Sequence, residues 1–359
     1  TTLGAGGGTF ETQAGTLTHT GTVGGLGALA KTGAGTLVLD GANSYAGGTT
    51  INAGMLEVDA DANLGAPATP LSFGGGTLHT TASFAMNRAT TLNAGGGTFD
   101  TDAVTQLTEA GAITGAGALT KAGAGTMVLT GAASHAGGTT IAAGTLQVGN
   151  GGTSGSLAGN VLDNAALAFD RSNALDVAGT ISGTGTVTQS GSGTTRLLAA
   201  NSYTGTTTVA AGALYIDGDQ SGATGTTTAQ AGATLGGGGT IGGNVTIANG
   251  ATLAPGDVGT TPGTLTINGN LGLATGATLT YGFGQANVPG GPLNDLTVVG
   301  GDLALDGTLN VTTSPGGTFG PGVYRVFDYG GTLTDNGLTI GTIPSPDFYV
   351  QTSVANQVN

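Results

Sequence analysis

Leu26–Val58 reads LGALAKTGAGTLVLDGANSYAGGTTINAGMLEV, and it returns as Ala116–Val148, AGALTKAGAGTMVLTGAASHAGGTTIAAGTLQV. The copies lie ninety residues apart without a gap, and ten of their thirty-three paired positions differ. Thr184–Ile216, TGTVTQSGSGTTRLLAANSYTGTTTVAAGALYI, is a looser third copy sixty-eight residues beyond the second. Self-similarity of this kind marks a stacked architecture, in which each unit buries its apolar face only against its neighbours.

Three short apolar bursts lie within the repeat: Leu37-Val38-Leu39, Thr49-Thr50-Ile51 and Leu56-Glu57-Val58. Turn residues follow each one, as in Asp40-Gly41-Ala42-Asn43 and Asn52-Ala53-Gly54. No helical period runs through them, and glycine every few residues would cost a helix about 1 kcal/mol each. Strands this short gain stability when wound into coils, each pairing with the coil above and below about 4.8 Å away. Ninety and sixty-eight approximate four and three multiples of about 22 residues, a suitable length for one coil. The expectation is an all-β, right-handed parallel β-helix with about 22 residues per coil. Alternation then points Leu37, Leu39, Ile51, Leu56 and Val58 inward, with Val128, Ile141, Leu146 and Val148 in part, and leaves Val38 outside.

Composition supports a narrow, ring-poor core. Gly makes up 75 of the 359 residues without a collagen period, charged residues 7%, aromatics 4%, and Trp is absent. Net charge is −14 with six Lys and Arg, which disfavours nucleic acid and anionic membrane surfaces as partners. No apolar run reaches the ~18 residues of a membrane helix, so direct membrane insertion is not expected. Cys is absent, which reads either as chance in a low-complexity chain or as a secreted chain that avoids cross-linking on its way out. Thr1-Thr2-Leu3 and Gln357-Val358-Asn359 both fall in mid-pattern, the reading expected of a piece of a longer protein.

Along the chain, GGGTFETQ at Gly6–Gln13 recurs as GGGTFDTD at Gly95–Asp102, so the duplicated block exceeds the opening repeat. Pro67 and Pro70 mark a loop between coils, and the Gly/Ser-rich residues 149–160 mark another. The texture changes after the third copy, which divides the chain into a repeat-bearing stalk, 1–232, and a C-terminal cap region, 233–359. Pro289 and Pro292 mark an excursion from the stack. From Leu296 the strands are expected to lengthen, and Tyr324, Phe327, Tyr329, Phe348 and Tyr349 concentrate aromatics there. These read as a terminal cap, with a ligand-binding aromatic patch as the alternative. The segment Val298–Gln357 is expected to be the part most resistant to unfolding.

Catalytic chemistry finds little support. His19, His79 and His135 are the three histidines, and His79 and His135 read as wall residues with no serine elbow to serve. Arg88, Arg171, Arg196 and Arg325 are far apart, against a polysaccharide-cleaving β-helix. Gly95-Gly96-Gly97-Thr98-Phe99-Asp100 misses the calcium-roll nonapeptide at its second glycine, and Asp59/Asp61 and Asp100/Asp102 read as solvated turns. No catalytic, cofactor-binding or metal residue is assigned, no cofactor is implied, and the chain is read as a non-enzyme.

Leu29–Val58 and Leu119–Val148 resemble the autotransporter-associated β-strand repeat. Lys31, Gly33, Gly35, Gly41, Asn43, Tyr45, Gly47, Gly48, Thr49, Gly54 and Leu56 fill its pattern. In the second copy Lys121 is kept while Ala133 and His135 replace Asn and Tyr. In the third Gln189 replaces Lys and Ala199 a Gly, while Asn201 and Tyr203 are kept. Gly300–Asn359 is similar to the autochaperone region that ends pertactin-like passenger domains. The resemblance implies type V secretion, with a signal peptide before this chain and an outer-membrane β-barrel after it as its own partner. It implies display at the bacterial cell surface or outer membrane, with release as a second fate. The expected function is that of an adhesin, self-associating or presenting stalk with a role in virulence, which contacts host surface molecules or like passengers on other cells. The alternative is the stalk of an enzyme-bearing autotransporter or a polysaccharide-active β-helix.

Overall fold

The computed structural model describes residues 1–257 and 261–359. Two compact units divide it, Thr1–Arg171 and Ser172–Asn359. Each is a parallel β-solenoid whose coils present short strands to three sheets. In the first unit one sheet of eight strands runs from Gly8–Glu11 to Ser156–Leu157, and a second runs from Thr16–His19 to Val161–Asp163. The third starts later, at Phe84–Met86, and reaches Ala166–Phe169. Among the described residues the only helical element is a single 3-10 turn, Asp61–Leu64, at the expected loop before Pro67 and Pro70.

Alternation sets what each strand buries. In Thr36–Leu39 the two leucines are buried and Val38 is half exposed, as expected from the period of two. Ile51, Leu56, Val58, Ile141, Leu146 and Val148 are buried as well. Val128 is buried together with both its neighbours, Met127 and Leu129, so its strand is covered on both faces. One inner column reads Leu37, Leu56, Leu78, Phe99, Lys121 and Ile141, each residue stacked on the next coil.

The register corrects the relation between repeat and coil. Leu29, Thr49, Leu71, Thr90 and Ile113 stack in one column, so four coils carry the chain from Leu29 to Ile113. A coil therefore takes about 21 residues. Leu119, the counterpart of Leu29 in the second copy, lies past Ile113, and the excess carries the chain onto the next sheet. Leu29–Thr32 lies in the first sheet, whereas Leu119–Ala122 lies in the second. The repeat is thus out of phase with the winding, and its second copy is rotated by one face.

The second unit has the same three-sided plan, with one sheet of eight strands from Leu175–Val177 to Thr339–Ile340. Its coils change length. Thr234 stacks on Thr252, Thr252 on Thr278, Thr278 on Thr308 and Thr308 on Thr339, each step longer than the one before. Thr278–Phe283 and Thr308–Thr313, six residues each, are the longest strands there. The expected lengthening ends at Thr313. Phe327–Tyr329, Leu333–Asp335 and Thr339–Ile340 have three residues or fewer, because turns occupy the added length. The last strand, Gln357–Val358, pairs antiparallel with Phe327–Tyr329 and so cannot continue the parallel ladder there. No residue from 331 to 357 is buried, which departs from the protection expected for Val298–Gln357 as a whole.

Candidate functional site

The side chains that define the repeat all turn inward. Lys31 Nζ donates to the carbonyls of Thr32 and Gly33 at 2.8 Å and of Ala53 at 3.1 Å. Lys121 repeats this on Ala122, Gly123 and Ala143 at 2.6, 2.8 and 3.2 Å. Each lysine ties a glycine turn to the coil beside it. Burial pushes the Lys121 amine down to about 8 and lowers that of Lys31. Gln189 in the third copy keeps the donor role through bonds to Gly191 and Gly193. The fit also dictates glycine at 54, where φ is +64° and a Cβ would come within 2.4 Å of two carbonyl oxygens and 2.8 Å of Lys31 Nζ.

Asn and Tyr complete the signature. Val23 N–H donates to Asn43 Oδ1 at 2.7 Å and Asn43 Nδ2 donates to the Asn63 carbonyl at 2.6 Å, so one amide bridges three coils at a corner without a strand. In the third copy Ile181 N–H donates to Asn201 Oδ1 at 2.7 Å. Where Ala133 replaces Asn, the main chain forms the strand Ala132–Ala133 and pairs directly with its neighbours. The Tyr45 and Tyr203 hydroxyls lie 2.6 and 2.7 Å from those of Thr49 and Thr207, four residues on. The buried His135 places Nε2 3.1 Å from Thr139 Oγ1 in the same way. The motif encodes the winding and leaves the outer wall free.

That wall is lined with threonine. On the second sheet of the first unit Thr16, Thr36, Met55, Thr77, Thr98, Thr120 and Thr140 form one outward column. In the second unit Thr194, Ala213, Thr234, Thr252, Thr278, Thr308 and Thr339 form another. Among the described residues these threonine hydroxyls have no hydrogen-bond partner. They repeat once per coil, about 4.8 Å apart.

The titratable residues singled out from the sequence are spent locally. His79 sits on the wall between Glu57 at 3.3 Å and Asp102 at 2.9 Å. Burial opposes its protonation, but the two carboxylates outweigh that and raise its pKa. His19 lies 3.0 Å from the Thr1 hydroxyl. Arg88 is almost wholly buried and pairs with Asp61 at 2.5 Å. It also donates to the carbonyls of Asp61, Leu64, Gly65, Ala66 and Thr69, organising the loop that holds Pro67. Arg171 holds the carbonyls of Gly155 and Thr153. Arg196 pairs with Asp217 and Asp257 beside the Tyr215 ring, and Arg325 pairs with Asp328. Asp59 is exposed, and no group of three acidic or histidine side chains among the described residues is arranged to hold a metal.

Sequence reasoning passed over three buried carboxyls. Burial pushes Glu109 up to about 8, against hydrogen bonds from Gly111 N–H at 2.7 Å and the Thr90 hydroxyl at 3.4 Å. Asp295 is pushed up to about 7 and Asp163 to about 6 for the same reason. An acidic residue at an inward position of an alternating strand was the available signal, as in the inner pair Leu107 and Glu109. Of the C-terminal aromatics, Tyr324, Phe327 and Tyr329 are buried, while Phe348 is half-buried and Tyr349 exposed.

A solenoid wound by this motif is similar to autotransporter passenger domains. The passenger-associated-transport-repeat matches residues 29–58, 119–148 and 187–216, the three copies described above. Over 180 residues the chain is 62% identical to the Adhesin BmaC autotransporter of Brucella suis biovar 1 (strain 1330), a span of 50% of this chain and 5% of that relative.

Proposed function

We propose that this chain is an adhesive stretch of an autotransporter passenger, displayed at the bacterial surface through its own outer-membrane barrel. The observation that carries this reading is the division of labour in each coil. Signature residues are consumed inside, while the walls present columns of uncharged hydroxyls without intramolecular partners among the described residues. The name of the relative, an adhesin, agrees with it. In this reading residues 1–232 form the stalk and 233–359 a cap that templates folding, and the chain performs no catalysis. His79 supports that last point, since its hydrogen bonds go to two carboxylates and to no nucleophile. Partners are host surface molecules or like passengers on other cells.

Cells displaying the chain test the reading. Thr36→Glu, Thr77→Glu, Thr98→Glu and Thr120→Glu together place four charges on one wall and leave the core untouched. Adhesion falls severalfold while circular dichroism is unchanged. Where the contact is between like passengers, moderate salt strengthens it by screening the −14 charge of each chain. Unaltered adhesion in the fourfold variant overturns the role of the wall.

A further inference from the structure

Residues of the long coils of the second unit line an open pocket of about 430 Å³ with an aromatic and aliphatic wall. Phe319 stacks on Tyr324 with ring centroids 4.6 Å apart, and Phe348 tilts against Phe319 at 4.8 Å. The Tyr324 hydroxyl is spent on Gly320, donating to its carbonyl and accepting from its N–H. Tyr349 stands at the rim with 79% of its surface exposed. The volume lies within the range of sites that accept small ligands or single side chains.

The polar groups decide what fits. Arg325, the one cationic residue after Arg196 in the sequence, is consumed by Asp328, by Gln357 Oε1 at 2.7 Å and by Asn359 Oδ1 at 2.6 Å. Asn359 in turn donates to Gln351 Oε1 at 3.2 Å. At the mouth this leaves the exposed Asp347 carboxylate, the hydroxyls of Ser345 and Tyr349 and the Gln351 amide nitrogen, with the carboxylate as the one charged group. An apolar well with an acceptor-rich, negative rim disfavours anions. A wholly apolar ligand would cover the carboxylate without pairing it. A donor-only cation on an aliphatic stem satisfies both parts: the stem lies along the rings, and the head meets the carboxylate and a ring face.

We propose that this pocket receives an exposed lysine or arginine side chain of a partner protein. The inference rests on the adhesive reading and names the chemistry of the partner, a basic protein surface drawn to a chain of net charge −14. The whole chain is titrated with Nα-acetyl-arginine amide and Nα-acetyl-lysine amide, with the ring resonances followed by NMR. Uncharged Nα-acetyl-citrulline amide and Nα-acetyl-norleucine amide serve as controls. The cations shift the Tyr349 and Phe348 signals, and added salt weakens them. Asp347→Asn and Tyr349→Ala, both at exposed positions where folding is not at stake, each weaken binding about fivefold. Equal binding of the citrulline amide, or no shift with either cation, overturns the proposal. On displaying cells, adhesion unaffected by Asp347→Asn sinks the pocket and leaves adhesion standing. Cation binding in a chain that never adheres does the reverse.

Discussion

In the first unit Leu37 stacks on Leu56 and Leu56 on Leu78, short coils whose corners are held by single polar side chains. Beyond Thr252 in the second unit the coils are markedly longer, with Thr278 stacked on Thr308 and Thr308 on Thr339. The interior there is filled by rings. Tyr281, Phe283 and Phe327 are almost fully buried, with centroids 5.9 Å apart for the first pair and 6.0 Å for Tyr281 and Phe327. A longer perimeter encloses more volume, and protein interiors tolerate few voids, so larger side chains must enter. The short coil has the converse difficulty. Where its corners carry no strand, Lys31, Asn43 and Tyr45 supply hydrogen bonds in place of ladder pairing, whereas Ala132–Ala133 pairs through the main chain. The difference teaches that coil perimeter selects the kind of residue holding the stack.

The sharpest way to break this comparison is to empty the ring-filled interior. Phe327→Ala costs about 3–5 kcal/mol, a transfer loss plus a cavity that flanking rings cannot close. Solenoid stability is a nearest-neighbour property, so hydrogen exchange accelerates in the coils beyond Thr252 while residues 1–171 keep their protection. Uniform loss of protection in both units would mean that perimeter does not set separate holding rules. In limited proteolysis the fragment that survives spans about 264–329 and lacks the unburied residues 331–357.

A second test uses pH. A carboxyl whose pKa rises on folding stabilises the fold below its unfolded value near 4 and loses that contribution as pH climbs through the folded value. Glu109, at about 8, and Asp163, at about 6, act so in the first unit, as Asp295, at about 7, does in the second. His79, whose burial is outweighed by its carboxylates, also favours acid, while the lowered His135 opposes them. Both units therefore unfold at higher denaturant at pH 5 than at pH 8. Glu109→Gln keeps the acceptor for Gly111 and removes the charge, raising stability at pH 8 on the order of 2 kcal/mol in the first unit alone. Denaturant midpoints that rise with pH would reverse this sign.

How far the sequence reveals these rules depends on whether a feature is local. Alternation in Thr-Leu-Val-Leu at 36–39 places the two leucines inside from four residues alone. The face on which a copy lands is not local, because it sums coil lengths that vary along the stack. The step from Leu71 to Thr90 is shorter than that from Thr90 to Ile113. A spacing of ninety then looks like four coils when it is four coils and a corner. Beyond Leu296 the alternation was visible, but nothing in it showed that turns would absorb the length after Thr313. The pocket was hidden for a related reason. Its wall joins Phe283, Phe319 and Phe348, which only the long coils bring together.

The smallest expected effect tests the corner itself. Lys121 spends its three donors on the carbonyls of Ala122, Gly123 and Ala143, and its charge is the costly part of the arrangement, as the lowering to about 8 shows. The third copy already carries the alternative, because Gln189 binds two turn carbonyls with a neutral amide and accepts from the Thr195 hydroxyl at 2.7 Å. If donors matter at this corner and charge does not, Lys121→Gln changes stability by less than about 1 kcal/mol at pH 7. Lys121→Leu, of similar apolar bulk, strands the same carbonyls and costs about 2 kcal/mol. The gap between the two variants is the measurement, read from denaturant midpoints at constant slope. Equal losses for both would show that the lysine acts through its charge or its packing. The corner would then be held as the long coils are, by what fills it.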